Sequence, residues 1–205
     1  MTIIFDFDGT IADSFDVIVA IVGDLTGHSE TVDQMSVQEL RQQPLLVVAR
    51  QLGVHPWKVP FLLVRGRMLM SRRMHEVKLY VGMGKVIEQL HGEGHELFIL
   101  SSNSSRNVRT FLHTHHLESH FVDVRGSVSL FGKARELKRM LRRNNLSNDK
   151  TWYVGDETRD IDAAKAAIVR CIAVAWGFTS PTTLKASQPT AIAEQPEYIV
   201  QIINQ

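Results

Sequence analysis

Cysteine is almost missing from this chain: Cys171 stands alone among 205 residues. A single thiol excludes an internal disulfide framework and any cysteine-rich metal site. Long apolar runs are missing as well. No uninterrupted stretch approaches the roughly 20 residues that span a bilayer, and no basic segment followed by an apolar core opens the chain. The expected setting is a reduced, cytoplasmic compartment with no membrane partner. Neither sign of charge is in excess: 23 Lys and Arg against 22 Asp and Glu leave a formal net charge of +1, which argues against nucleic acid as a whole-chain partner. Internal repeats and low-complexity tracts are also lacking. What is present is an ordinary globular composition, 44% hydrophobic and 22% charged, with length for one full-sized domain or a domain carrying an insert.

The first apolar run ends in a pair of acids. Thr2 to Phe5 reads as a short buried strand, and Asp6-Phe7-Asp8-Gly9-Thr10 follows it. Residues i and i+2 of an extended chain point the same way, so Asp6 and Asp8 can converge on one spot. Two such carboxylates repel unless a cation or proton lies between them. The alternative is a plain strand-end turn built on Asp8-Gly9. From Tyr80 onward, short apolar runs (Leu97–Leu100, Phe121–Val124, Thr151–Val154, Cys171–Ala175, Ala191–Ala193) alternate with helical spacings over Met83–His91, Ser104–His116, Lys133–Asn144 and Asp160–Ala167. This alternation predicts an α/β fold, a parallel sheet with helices on both faces, whose ligands bind beyond the carboxyl ends of the strands. Asp16 to about Lys78 differs: its apolar residues recur at helical intervals (Val17, Ala20, Ile21; Leu45, Val48, Leu52), with breaks near Gly27, Pro44 and Gly53–Pro60 and no convincing strand. It reads as a helical insert.

The polar residues after each apolar run are the candidates for chemistry. Ser101-Ser102-Asn103-Ser104-Ser105 runs into a helix, where hydroxyls and free N–H groups suit phosphate, unless they are ordinary caps. Lys133 opens a helix, an electrostatically poor place for a cation unless an anion is near, although a surface lysine is the plain alternative. Tyr153-Val154-Gly155-Asp156-Glu157 leads to Asp160, acids that either cap a helix or join Asp6 and Asp8 in an oxygen-rich site fit for Mg²⁺.

Taken in order, these four segments resemble the motifs of the haloacid dehalogenase-like hydrolase superfamily. Asp6-Phe7-Asp8-Gly9-Thr10 looks like D-x-D-G-T, Ser101 like the second motif's hydroxyl, Lys133 like the third motif's lysine, and Gly155 to Asp160 like G-D-x-x-x-D. Ala175-Trp176-Gly177-Phe178 with its Ser-Pro turn is similar to the phosphoglycolate phosphatase-like branch. The resemblance implies a Rossmann-like core over residues 1–13 and 80–205 and a small α-helical cap over 14–79. It also implies a Mg²⁺-dependent phosphatase acting on a small phosphorylated metabolite. In that reading Asp6 is the nucleophile that forms an aspartyl-phosphate, and Asp8 is the acid/base. Ser101, Ser102, Asn103 and Lys133 hold the phosphate; Asp6, the Asp8 carbonyl and Asp156 hold the metal; Asp160 and Thr10 support it. Dehalogenases of this fold lack the second acid, so Asp8 points to phosphoryl transfer. Three departures stand out: Ile168 where a glycine usually ends the helix, Val81 before Gly82 where proline is frequent, and Glu157 beside Asp156.

Two other features point elsewhere and are discounted. His113, His115 and His116 sit near a helix C-terminus, where histidine is favoured anyway, and a hard-cation site needs none of them. Arg65–His75 is basic and Met-rich and reads as a cap helix with one apolar face. From Gln34 to His75 the only acid is Glu39 against seven Lys and Arg, a surface suited to an anionic substrate. Trp57 and Lys58 lie in the same stretch. Rival readings are a phosphomutase, a phosphonate hydrolase using Lys58 as a Schiff base, or a binding module without turnover.

Overall fold

The computed structural model describes residues 1–27, 47, 50, 54–55, 59–129 and 132–205. The readings placed on Glu39, Pro44, Leu45, Val48, Leu52, Trp57 and Lys58 fall outside them. A six-stranded, wholly parallel sheet has the order β5-β4-β1-β6-β7-β8. Its strands are β1 (Thr2–Phe5), β4 (Glu96–Leu100), β5 (Phe121–Arg125), β6 (Thr151–Gly155), β7 (Arg170–Val174) and β8 (Ala191–Ala193). β1 lies in the middle, and all four of its residues are buried. Ile3 pairs with Leu97 on one side and Trp152 on the other.

Because strand side chains alternate, the sheet divides its apolar residues between two faces. Ile3 and Phe5 face one layer, into which α3 (Met83–Gly92), α4 (Ser105–Thr114) and α8 (Glu197–Ile203) send Val86, Ile87, Leu90, Val108, Phe111, Ile199 and Ile203. Ile4 faces the other, formed by Leu137, Met140 and Leu141 of α5 (Lys133–Arg143), Ile161 and Ala164 of α6 (Thr158–Ala167) and Leu184 of α7 (Pro181–Ala186). The expected three-layer α/β architecture is present.

The segment between β1 and α3 departs from the reading in one respect. α1 (Phe15–Thr26) ends at Gly27, which adopts φ 74° as its left-handed cap, and α2 (Val59–Arg73) packs against α1. A two-stranded antiparallel ribbon, β2 (Ala12–Asp13) with β3 (Lys78–Leu79), clamps the two ends of the insert together. The sequence offers no strand here because a two-residue ribbon is too short for alternation to register; pairing partners distant in sequence create it. Likewise Ser180-Pro181, expected as a turn, opens α7, with Ser180 accepting from the Thr183 N–H and Pro181 in the first turn.

Candidate active site

Asp6 and Asp8 follow β1, and Asp156, Glu157 and Asp160 follow β6, at the carboxyl edge of the sheet, where the loop after β1 closes on Asp156. The Asp6 N–H donates to the Val154 carbonyl at 2.8 Å, extending the β1–β6 ladder by one residue. The chain then turns on Gly9 at φ 79°, where an added Cβ would stand 2.2 Å from Asp156 Oδ2. Gly177 is equally constrained, since a Cβ there would meet the Asp156 Cβ at 2.1 Å. Only glycine lets two backbone segments close on the Asp156 carboxylate from both sides.

Asp6, Asp156 and Asp160 are all buried, and one carboxylate oxygen from each lies within 4.8 Å of the others. Lys133 Nζ, itself buried, bridges two of them at 2.6 Å to Asp6 Oδ2 and 2.5 Å to Asp160 Oδ1. This explains a lysine at a helix start: its stem crosses the edge of the sheet to reach the acids. Burial works against its charge, but Asp160 and Asp6 outweigh burial and hold the ammonium above its ordinary value. Asp6 Oδ1 accepts the Phe7 N–H at 2.8 Å. Burial pushes the Asp6 carboxyl up to about 7, against the lowering pull of Lys133. Asp156 touches no cation in the described structure. Its oxygens accept from Thr10 Oγ1 at 3.1 Å and from the Phe178 N–H at 2.7 Å, and burial together with Glu157, Asp160 and Asp6 drives its carboxyl well above the ordinary range. Three crowded carboxylates with one ammonium between them leave uncompensated negative charge around hard oxygen donors. The donor set fits a divalent cation such as Mg²⁺ and fits zinc or copper poorly.

Asp8 points elsewhere. Its Oδ1 accepts from Ser14 Oγ at 2.7 Å, and the Asn103 Nδ2 reaches both of its oxygens at 3.2 and 3.1 Å. Burial raises its carboxyl above the usual range, with the Ser14 and Asn103 hydrogen bonds opposing. The two acids thus occupy different environments, one against an ammonium and one among neutral donors. Asn103, expected at the phosphate, donates from its side-chain amide to Asp8. Ser101 is fully buried and its Oγ accepts the Asn103 N–H at 3.0 Å, while Ser102 stays partly exposed beside it.

Glu157 pairs with Arg159, and its charge is among those that raise the Asp156 carboxyl. Its N–H donates to Asp160 Oδ2 at 3.0 Å, so Asp160 both caps α6 and holds Lys133. The Arg159 charge lowers both Asp6 and Asp8, a second cation that the sequence reading did not pick out. Also missed were Ser14, Trp176, whose Nε1 donates to the Thr10 carbonyl at 3.1 Å, and Asn107 and Arg67. Ser14 was legible in principle, lying just past the first motif; the others depend on contacts across the fold. Among the described residues no histidine joins the cluster: His115 lies against Phe111 and His91 against His120.

Comparison with known proteins adds an independent line. The model of the haloacid dehalogenase-like hydrolase family matches residues 3–174. A phosphoglycolate phosphatase of Synechococcus elongatus is 33% identical over 208 residues, covering 99% of this chain and 97% of that protein. A phosphoglycolate phosphatase of Aliivibrio fischeri is 24% identical over 218 residues, covering 98% and 96%. Among solved structures, a haloacid dehalogenase-like family protein from Streptococcus pneumoniae superposes with a TM-score of 0.80 at 20% identity over 98% of this chain and 97% of that one, a likeness of fold.

Proposed function

The chain belongs to the haloacid dehalogenase-like hydrolase family, in its phosphoglycolate phosphatase-like branch, and is a phosphatase; on that premise we propose that it hydrolyses a small phosphomonoester through an aspartyl-phosphate on Asp6, with Mg²⁺ as its metal. The observation that carries this reading is the difference in surroundings between Asp6, against Lys133, and Asp8, among Ser14 and Asn103. Asp6, with Lys133 on one oxygen, is placed to attack phosphorus. As the Asp6–phosphorus bond forms, the ester P–O bond breaks, and Asp8 gives its proton to the departing alkoxide. A carboxyl raised by burial keeps its proton to higher pH than an ordinary carboxyl, which suits a general acid. Asp8 then takes a proton from the water that attacks the acyl phosphate, releasing inorganic phosphate and restoring Asp6.

Asp6, the Asp8 carbonyl and Asp156 would hold the metal, with Asp160 steadying the site through Lys133 and Thr10 through Asp156. When bound, Mg²⁺ would supply the charge neutralisation that lets a carboxylate approach a phosphate dianion. Ser101, Ser102, Asn103 and Lys133 are the proposed holders of the phosphoryl oxygens, and residues 14–79 the proposed cap over the site. The name of the Synechococcus relative supports a phosphoglycolate-like ester as the substrate, and the proposed compartment is the cytoplasm.

The test is a panel of phosphomonoesters assayed with Mg²⁺ against the wild type and Asp6→Asn, a near-isosteric change. Turnover by wild type and none by a folded Asp6→Asn is expected. Wild-type-like turnover by the variant would remove the nucleophile from the scheme.

A further inference from the structure

Four hydrogen bonds lead from α2, in the insert, to the carboxylate of Asp8. The α2 residue Arg67 donates from Nε to the Ser102 carbonyl at 2.9 Å and from an Nη to the Val128 carbonyl at 3.3 Å, fastening the helix to the loops that follow β4 and β5. Its own carbonyl accepts the Asn107 Nδ2 at 3.3 Å. The same Nδ2 donates to Asn103 Oδ1 at 2.9 Å, and Asn103 Nδ2 spans the two oxygens of Asp8. Asn107 is 2% exposed and Asn103 6%.

The chemistry of the amide makes this more than packing. Asn103 has a donor end and an acceptor end of nearly equal shape, so its orientation is decided by its partners. Asn107 and the Ser104 N–H both donate to Oδ1, the latter at 2.9 Å. That fixes Oδ1 away from Asp8 and turns the NH₂ toward it. Were the amide to turn over, an oxygen would face the carboxylate and repel its ionised form. We propose that Asn107 is a positioning residue for Asp8 and that it ties the acid/base to the seating of α2: when α2 is fastened by Arg67, its carbonyl orients Asn107, Asn107 orients Asn103, and Asn103 aims Asp8. The inference rests on the phosphatase reading above and assigns Asn107 and Arg67 a part in it.

The experiment compares kcat/KM, which reports steps up to phosphoryl transfer, for an alkyl phosphate and for 4-nitrophenyl phosphate with Mg²⁺. An alkoxide must be protonated as it leaves, whereas nitrophenolate departs without help, so only the first depends on a well-aimed Asp8. Asn107→Leu keeps the branched shape and removes the donor. It is expected to lower alkyl kcat/KM about tenfold or more beyond any loss on the aryl ester, in keeping with the ~100-fold cost of small misplacements of catalytic groups. Arg67→Met changes a partly exposed side chain and guards against a folding failure of the buried variant; it should shift the alkyl-to-aryl ratio in the same direction by a smaller factor. Equal losses on both esters in both variants would overturn the proposal, because a merely structural role lowers the two together. A wild type that turned over neither ester would instead overturn the phosphatase reading on which the proposal stands.

Discussion

Lys133 is the residue whose removal has the most legible consequence. It is the only cation in contact with the buried Asp6 and Asp160 among the described residues. Lys133→Met would leave uncompensated charge in the interior, which typically costs about 3–5 kcal/mol. Urea denaturation of the metal-free variant should reveal a loss of that order together with loss of turnover; unchanged stability would mean that the bridge is not intact in solution. Asp6 carries a pH signature as well. Its carboxyl is raised to about 7 in the folded chain, against 3.8 ordinarily, so between those values the folded state binds more protons than the unfolded one. Stability from this group is complete below 3.8 and is lost as pH rises through about 7. Asp8 and Asp156, both raised, act in the same sense. Thermal unfolding in a chelator should therefore reveal a site that grows less favourable from about pH 5 to about pH 8. Neighbouring acids can be ranked by metal titration: Asp156→Asn should raise the Mg²⁺ requirement for activity more than Asp160→Asn, and Glu157→Gln least, since Glu157 faces Arg159. The reverse order would reassign the ligands.

At the scale of elements, the end of α6 carries a small liability. Ile168 closes that helix at φ 56° and ψ 47°, a left-handed conformation, with its side chain 80% exposed. A β-branched residue there clashes with its own backbone, at a cost of roughly 1–2 kcal/mol, and buries almost nothing in return. Ile168→Gly should raise the melting temperature by about 2–4 °C for each ~1 kcal/mol recovered in a chain of this size. A fall would show that the exposed side chain has a contact in solution. Nothing in the chemistry depends on Ile168, so turnover should not change. The first β-strand is the opposite case: each residue of Thr2–Phe5 is buried between two parallel neighbours, and the strand delivers Asp6 without local compromise.

For the whole molecule, the site stores electrostatic repulsion that a ligand can relieve. Anything that binds the folded form alone stabilises it by about 2.7 kcal/mol at a hundredfold excess over its dissociation constant. Added Mg²⁺ should raise the melting temperature of the metal-free protein, and by more at about pH 8 than at about pH 5, where a proton already occupies the Asp6 carboxyl. A larger effect at the acid end would place the bound cation elsewhere than the Asp6, Asp156 and Asp160 cluster. Asp156→Asn should abolish most of the effect.

Much of this was written in local sequence. The alternation of short apolar runs with helical spacings set the α/β class, because burial on both faces demands continuous apolar strands, and the acids that follow those runs had to fall at one edge of a parallel sheet. Asp6, Asp8, Lys133, Asp156 and Asp160 were therefore legible as candidates before any coordinates. Their roles in one another's environment were not. That Lys133 bridges Asp6 to Asp160, that Asp8 rests on Ser14 and Asn103, and that Arg67 reaches Ser102 from a distant helix are decisions of tertiary structure. The same holds for the β2–β3 ribbon, whose two-residue strands have no preference to express until their partners arrive. Periodicity records which side of an element is buried; it does not record which buried polar atom meets which, because that is fixed by the packing of segments far apart in the chain.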